Sequence, residues 1–292
     1  MSDYRAPSAV LQRSPLRRVG NAGFILGVII VGGILLAALF GNSLVHHDPF
    51  AQDLGKRLSP PFWMQNNRVE HLLGTDQLGR DYLARLVYGA RISLLIGLMT
   101  VITSGVIGTT LGVLGGYFGG RVDDAVLFAI TCRLSIPVVL VALAVVGLLG
   151  SSLALVVLTL GLLLWDRFAV VARSTTMQVR TLDFVNAAWC AGCSTPYLLL
   201  REILPNITSH LAVVATLEMA LAILLEAALS FLGLGVPPPL PSWGLMIAEG
   251  KDYMFFSPWV IMIPGAALFV LVLGINLVGD GLRNLLGTER LR

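Results

Sequence analysis

The lysines of this sequence lie outside any motif that could hold a nucleotide. A P-loop holds phosphates with backbone amides and with the lysine of Gly-Lys-Ser or Gly-Lys-Thr. The chain has only two lysines, Lys56 and Lys251, and each is followed by a charged residue. The sequence also shows no nucleophile motif and no complete metal-ligand cluster. We therefore predict no catalytic residue, no metal, no cofactor and no enzymatic activity in this chain.

Cysteines and histidines could form two further kinds of site. Cys190 and Cys193 have the Cys-x-x-Cys spacing of redox and metal sites. Four ligands or a thioredoxin-type setting are missing, so we interpret both as small residues that flank a turn. The chain has three cysteines, and we predict no disulfide. His46, His47 and His71 could bind a metal, but three histidines without a defined geometry are more often solvated, and we predict that state.

Charged residues within apolar runs are the third kind of candidate. Glu218 and Glu226 are eight residues apart, which places them on nearly the same face of a helix. Ionisable groups at membrane depth are often functional, so two roles for Glu218 stay open: lining a translocation path, or making a polar contact between helices. We also predict that Arg133 and Asp166 form an intramembrane ion pair, because an unpaired charge there costs at least about 2.5 kcal/mol.

The elements that position these residues are long apolar helices. Hydrophobic residues make up 56% of the chain and charged residues 13%, against roughly 25% charged in soluble domains. Several uncharged runs exceed the roughly 20 residues that a helix needs to cross the bilayer. The run from Arg133 to Asp166 is too long for one crossing and is divided at 150–152. With a further span at 211–234, we predict an all-α membrane protein of about six transmembrane helices.

Charge predicts the orientation of these helices. Most lysines and arginines fall in segments that are cytoplasmic if the N-terminus is inside, although charge alone leaves the opposite orientation open. The dispersed arginines give no nucleic-acid-binding patch. The expected division is a cytoplasmic tail at 1–20, a first transmembrane helix at 21–45, a periplasmic segment at 46–91, a core of five transmembrane helices at 92–283 with a cytoplasmic segment at 173–209, and a cytoplasmic tail at 284–292.

Glycines repeat at four-residue spacing along the second predicted helix. Gly108, Gly112 and Gly116 line one helix face, which allows the backbone of a neighbouring helix to approach closely. We expect this face to pack within the chain, and a seam between two subunits is the alternative.

The cytoplasmic segment carries the motif with the most information. It reads Asp183-Phe184-Val185-Asn186-Ala187-Ala188-Trp189-Cys190-Ala191-Gly192, and Arg201-Glu202-Ile203-Leu204-Pro205 follows. This pattern predicts a short helix, a sharp turn at the glycine and a second helix. It resembles the signature of ABC importer permeases, which is Glu-Ala-Ala, three residues, Gly, and later Ile-x-Leu-Pro. The matches are Ala187, Ala188, Gly192, Leu204 and Pro205, and Asn186 stands where the family usually has Glu.

The resemblance implies that 183–205, beginning at Asp183, couples the chain to a separate ATPase. Two further regions are similar to the C-type membrane subunit of dipeptide, oligopeptide and nickel importers. Their shared residues are Gly74, Asp76, Gly79, Arg80 and Asp81 in the first region and Glu226, Trp243 and Asp280 in the second. The resemblance further implies the type I ABC importer (MetI-like) permease fold.

The function that the resemblance implies is import of small peptides across the inner membrane. The expected partners are a homologous permease subunit, two ABC ATPase subunits, a solute-binding protein and membrane lipid, with no nucleic acid. Nickel or glutathione stay open as substrates. Two other classes also stay open: a secondary transporter that uses Glu218 as its ion site, which leaves 183–205 unexplained, and a membrane scaffold that transports nothing.

Overall fold

The computed structural model of this chain describes residues 15–45, 47–64 and 70–289, and these ranges are mostly helical. Within them, five helices are long and apolar enough to cross a membrane, and a bent helix pair raises the number to six. The prediction of an all-α membrane protein with about six transmembrane helices is therefore confirmed.

The described residues form eleven α-helices, with one π-helical turn and three short 3-10 turns between them. The helices are α1 Pro15–Leu44, α2 Tyr82–Phe118, α3 Gly120–Leu134, α4 Val138–Leu149, α5 Leu153–Leu163, α6 Asp166–Val179, α7 Asp183–Cys190, α8 Thr195–Tyr197, α9 Leu204–Phe231, α10 Trp243–Gly250 and α11 Trp259–Glu289. The π-turn is Leu198–Ile203, and the 3-10 turns are Leu54–Lys56, Phe62–Met64 and Lys251–Tyr253.

The third crossing is broken in its middle. α3 and α4 are bent by 79° at a short break, whereas the sequence analysis expected one continuous helix up to 150–152. Pro137 causes the break, because it cannot donate a backbone hydrogen bond and it disfavours the helical conformation of the residue before it. Pro137 itself is extended, with φ −64° and ψ 118°, and serves as the N-cap of α4.

The fourth crossing continues past Asp166, the charged residue that ends its apolar run. α5 and α6 together form one apolar span over Leu153–Val179. The second crossing begins earlier than the expected core boundary at 92, since α2 starts at Tyr82 with Asp81 as its N-cap.

The glycine face of α2 packs within the chain, so that prediction is confirmed. A Cβ atom on Gly108 would lie 2.6 Å from Cβ of Phe168, and one on Gly112 would lie 2.7 Å from Cβ of Ala172, both on α6. These separations are far below ordinary contact, so only glycine allows the two helices to pack at this distance.

Candidate functional site

α7 projects from the helical bundle and is attached to it by one side chain. Val185 is 3% exposed and packs in a cluster with Val113 of α2, Val179 of α6 and Ile203 of the π-turn. The rest of α7 is largely exposed, including Phe184 at 40% and Trp189 at 66%. Exposed aromatic side chains on a short helix form a surface suited to binding another protein.

A glycine turn ends α7, as the sequence predicted. Gly192 has φ +85°, its N–H donates to the carbonyl of Trp189 at 3.0 Å, and the N–H of Cys193 donates to that of Ala188 at 3.1 Å. These two bonds define a Schellman motif with Gly192 at its left-handed position, where residues with a side chain are disfavoured. α8 begins three residues later at Thr195, so the predicted helix, turn and helix are confirmed.

A π-turn connects α8 to the long helix α9, and Pro205 explains its position. Proline has no N–H, so the regular hydrogen-bond ladder is interrupted at the start of α9. The N–H of Leu204 instead donates to the carbonyl of Leu199, and the side chain of Asn206 donates to the carbonyl of Glu202 at 2.6 Å. α7, α8 and α9 therefore form one continuous connection from the exposed segment into the bundle.

Two arginines fix the base of this segment. Arg180 donates to the carbonyls of Gly116 and Tyr117 at 2.9 and 2.8 Å, which satisfies the C-terminal end of α2. Arg173 of α6 forms a two-pronged ion pair with Asp123 of α3. The bundle end from which α7 projects is thus held by polar contacts as well as by apolar packing.

At the other end of the bundle lies the first family motif, the region at 74–81 that the sequence analysis compared with peptide importers. Its charged residues take part in a buried charge network. Asp76 is 1% exposed and accepts from Nε of Arg80 at 2.6 Å and from Arg85. The second carboxylate is Glu249 of α10, whose oxygen lies 2.8 Å from Nη2 of Arg85 and 3.4 Å from Nη2 of Arg80. Two arginines and two carboxylates therefore join the segment before α2 to α10.

The two motif glycines permit this arrangement because both take left-handed conformations and contact backbone closely. Gly74 has φ +79° and packs on Ser59 and Pro60, and Gly79 has φ +73° and packs on Asp53. A Cβ atom at either position would overlap the neighbouring backbone.

Asp81, the last residue of this motif, is both a helix cap and the partner of two histidines. Its Oδ1 accepts the N–H of Ala84 at 2.7 Å, and its Oδ2 lies 2.8 Å from Nδ1 of His71 and 3.5 Å from Nδ1 of His47. The prediction of solvated histidines is therefore wrong for His71, whose side chain is 11% exposed. His46 lies outside the described residues.

The second family motif surrounds a buried carboxylate. Glu226 is 1% exposed, and its Oε1 accepts from the hydroxyls of Ser230 at 2.7 Å and Ser242 at 2.8 Å. Trp243 is also buried and donates from its indole nitrogen to the carbonyl of Leu86 at 2.8 Å. These contacts tie the loop before α10 to α9 and α2, whereas Asp280 lies exposed on α11.

Four charged residues within the spans form two adjacent ion pairs. Nη2 of Arg133 lies 3.4 Å from Oδ1 of Asp166, so the predicted intramembrane pair is confirmed. Glu218 is 1% exposed and lies 3.1 Å from Nη1 of Arg167, a residue that the sequence analysis did not single out. Its position directly after Asp166, within an apolar stretch, was the available signal. Glu249 was also missed, because it lies far along the chain from the arginines that it contacts.

A multi-span helical bundle with a projecting helix-turn-helix is typical of a membrane-embedded subunit that binds a partner protein. The family model described as "Binding-protein-dependent transport system inner membrane component" matches residues 108–290, and this chain belongs to that family. It is therefore a multi-pass permease of the ABC importer family, whose members act with ATPase and solute-binding partners.

Curated relatives match nearly the whole chain. The "Di/tripeptide transport system permease protein DppC" of Pseudomonas aeruginosa is 40% identical over 91% of this chain and 88% of that protein. The "Dipeptide transport system permease protein DppC" of Haemophilus influenzae is 36% identical over 96% and 95%. The "Probable D,D-dipeptide transport system permease protein DdpC" of Escherichia coli is 37% identical over 91% and 88%.

A solved structure supports the fold. A chain in "Inward facing conformations of the MetNI methionine ABC transporter" is similar with a TM-score of 0.56, at 17% identity over 67% of this chain and 93% of that one. The expected type I importer (MetI-like) permease fold is thereby confirmed.

Proposed function

We propose that this chain forms half of a transmembrane path through which small peptides enter the cytoplasm, driven by separate ATPase subunits. The peptide substrate is supported by the names of the relatives, which specify dipeptide, di/tripeptide and D,D-dipeptide transport. These names do not favour nickel as the substrate. Chain length supports the assignment too, since the alignments cover most of each relative.

The observation that carries this proposal is the exposed surface of α7. Val185 anchors this helix, whereas Phe184 and Trp189 are exposed. Exposed aromatic side chains of this kind indicate a surface that a partner protein covers. We assign 183–205 as the coupling segment, with Asp183, Asn186, Ala187, Ala188, Gly192, Leu204 and Pro205 as its characteristic residues. The docking partner is the ATPase subunit of the importer.

The connection from α7 through α8 and the π-turn to α9 gives this segment a mechanical route. Movement of the docked ATPases would displace α7, and the continuous connection would transmit that displacement to α9. Alternating access then follows from the motion of packed helices, with no chemistry in this chain.

The proposed topology places α7 and both termini in the cytoplasm and the segment before α2 in the periplasm. In this arrangement the core that begins with α2 pairs with a homologous permease subunit, two ATPases dock on the cytoplasmic side, and a binding protein docks outside. The apolar outer face of α1, with Ile29 at 64% and Leu39 at 61% exposed, fits contact with lipid.

We assign Glu218 and Arg167 to the wall of the translocation path. Glu218 is buried in its pair, whereas the side chain of Arg167 is 58% exposed within an apolar span. An arginine at such depth normally faces other protein or a water-filled cavity rather than lipid. The exposed side of Arg167 therefore faces the path or the second permease subunit.

Uptake by the reconstituted importer tests the proposal. We expect vesicles that contain the full complex to accumulate a labelled dipeptide when ATP is supplied. Accumulation should stop when the Walker lysine of both partner ATPases is replaced. Uptake that survived the inactive ATPases would contradict the proposal and support the gradient-driven alternative.

A surface variant tests the docking helix directly. We expect Trp189→Ala to insert and fold normally, because the side chain is exposed, and to bind the ATPase at least about tenfold more weakly. Phe255→Ala, at 85% exposure in the loop before α11, is the matched control and should bind normally. Equal affinity of the Trp189 variant and the control would exclude α7 as the docking site.

A further inference from the structure

Three side chains from separate points of the segment between α1 and α2 meet at the start of α2. His47 follows α1, His71 precedes the Gly74 turn, and Asp81 is the N-cap of α2. Nδ1 of each ring points at the same carboxylate oxygen, Asp81 Oδ2, at 3.5 and 2.8 Å. One potential ligand atom from each residue lies within 4.8 Å of the other two.

The carboxylate is fixed by the backbone and retains one oxygen for another partner. Its Oδ1 accepts the N–H of Ala84 at 2.7 Å, and this bond orients the group. The side chains of Asp81 and His71 are 4% and 11% exposed, whereas that of His47 is 45% exposed. Asp81 and His71 are therefore held in buried positions, and His47 leaves the cluster accessible to solvent.

The separations match those of a tetrahedral metal site. Zn²⁺ binds histidine nitrogen and carboxylate oxygen at about 2.0–2.2 Å, which places two ligand atoms roughly 3.3 Å apart. The histidine-to-carboxylate separations of 2.8 and 3.5 Å lie on either side of that distance. A cation at the centre would therefore change these two separations by about half an ångström or less. The ligand atoms of the two histidines lie within 4.8 Å of each other, so the rings would close around the ion.

The ligand types also select the metal. Two imidazoles and one carboxylate suit first-row transition metals, whereas Mg²⁺ and Ca²⁺ take oxygen ligands. Glu70 lies beside His71 in sequence but is engaged elsewhere, because its carboxylate accepts from Nζ of Lys56 at 2.6 Å. This hydrogen bond lowers the pKa of Glu70.

We propose that His47, His71 and Asp81 bind one divalent transition-metal ion of the Zn²⁺ class, with water at the fourth position. The ion would connect the chain after α1 to the cap of α2 and so close the segment around the Gly74 to Asp81 motif. Its role is to cross-link this connection, because His47 lies at its beginning and His71 and Asp81 lie near its end.

Metal binding by the full-length chain tests this proposal. The protein, purified in nanodiscs without a histidine tag and stripped with a chelator, is titrated with Zn²⁺ and, separately, with Co²⁺. We expect one equivalent of Zn²⁺ to bind with micromolar or tighter affinity. Co²⁺ should give the visible absorption bands of a four-coordinate site.

Two ligand variants keep the test independent of folding. Asp81→Asn retains a good helix cap while removing the anionic ligand, and His47→Gln changes an exposed side chain. Each should weaken Zn²⁺ binding at least about tenfold and abolish the Co²⁺ bands. His210→Gln on α9 is the control and should bind one equivalent normally. Absence of stoichiometric binding, or unchanged binding in both ligand variants, would overturn the proposal.

Discussion

At the scale of single residues, Gly192 and Gly233 form a matched pair. Each ends a helix in a Schellman motif, with φ of +85° and +82° respectively. A Cβ atom at either position would meet open space. The local cost of a side chain is therefore the same at both, about 1–3 kcal/mol for a left-handed residue.

This pair isolates the role of the coupling turn. We predict that Gly192→Val inserts into the membrane normally but fails to associate with the ATPase, because α8 can no longer leave α7 at the required angle. Gly233→Val carries the same backbone strain and should still associate. Both are measured by co-purification of the ATPase from membranes, and normal assembly of the Gly192 variant would contradict the assignment of 183–205.

The pair of Arg133 and Asp166 gives a second prediction at this scale. Both side chains are about nine-tenths buried, so removing one partner leaves an uncompensated charge at a cost of about 3–5 kcal/mol. Arg133→Gln and Asp166→Asn should each lower the midpoint of thermal unfolding in detergent more than the double variant does. Equal loss in the single and double variants would show that the two charges are not coupled.

The sequence predicted this pair but not the network around Arg85, and the reason is physical. Arg133 and Asp166 bracket one apolar run, so the cost of burying either charge indicates its partner. In the network around Arg85, Asp76 and Arg80 are only four residues apart in sequence. Glu249 reaches the same arginines from α10, 169 residues from Arg80, and only the packing of α10 on α2 brings it there.

At the scale of helices, the contact of α2 with α6 depends on the absence of side chains. A Cβ atom on Gly112 would lie 2.7 Å from Cβ of Ala172, whereas one on Gly105 would lie 3.5 Å from the ring of Phe168, an ordinary contact. We predict that Gly112→Ala destabilises the chain by about 1–3 kcal/mol through overpacking. Gly105→Ala on the same helix face should be neutral or slightly stabilising.

Unfolding in detergent, followed by the loss of helical signal, measures both variants. If Gly112→Ala were as stable as Gly105→Ala, the two helices would not be held at the distance that the structure shows. The four-residue spacing of the glycines was sufficient to predict a close helix contact. The identity of the partner helix needed the structure, because several helices present small residues.

The broken third crossing shows that an apolar run predicts a span but not a bend within it. Hydropathy indicated a span that ends at the division at 150–152, and the structure has helices over most of it. The bend of 79° at Pro137 was not predicted, because a proline in a membrane span can be tolerated with a mild kink. α11 illustrates this, since Pro264 lies inside one uninterrupted helix.

At the scale of the whole molecule, the two ends of the bundle differ in how they are closed. One end has the buried charge network, the histidine cluster and the loop around Glu226, which hold the long connections tightly. The other end exposes α7 on a single buried anchor. Composition predicted the number of crossings, and the signature predicted the exposed segment. The closure of the opposite end depends on contacts between distant segments.

Because the two ends of the bundle differ, the proposed function depends on which end faces the cytoplasm. If the proposed orientation is correct, the tightly closed end meets the binding protein and the exposed helix meets the ATPase. The distribution of charge in the sequence supports this orientation, since Arg173, Arg180 and Arg201 accompany α7 on the side assigned to the cytoplasm.

Thiol labelling tests this orientation. In a chain with Cys132→Ser and Cys193→Ser, exposed Cys190 at the end of α7 is the remaining cysteine. We predict that a membrane-impermeant maleimide modifies Cys190 in inverted vesicles but not in intact spheroplasts. With Cys190→Ser and Phe255→Cys added, the thiol at position 255 should react in spheroplasts instead. The reverse pattern would place α7 outside the cell, where no ATPase could reach it, and coupling through this segment would be impossible.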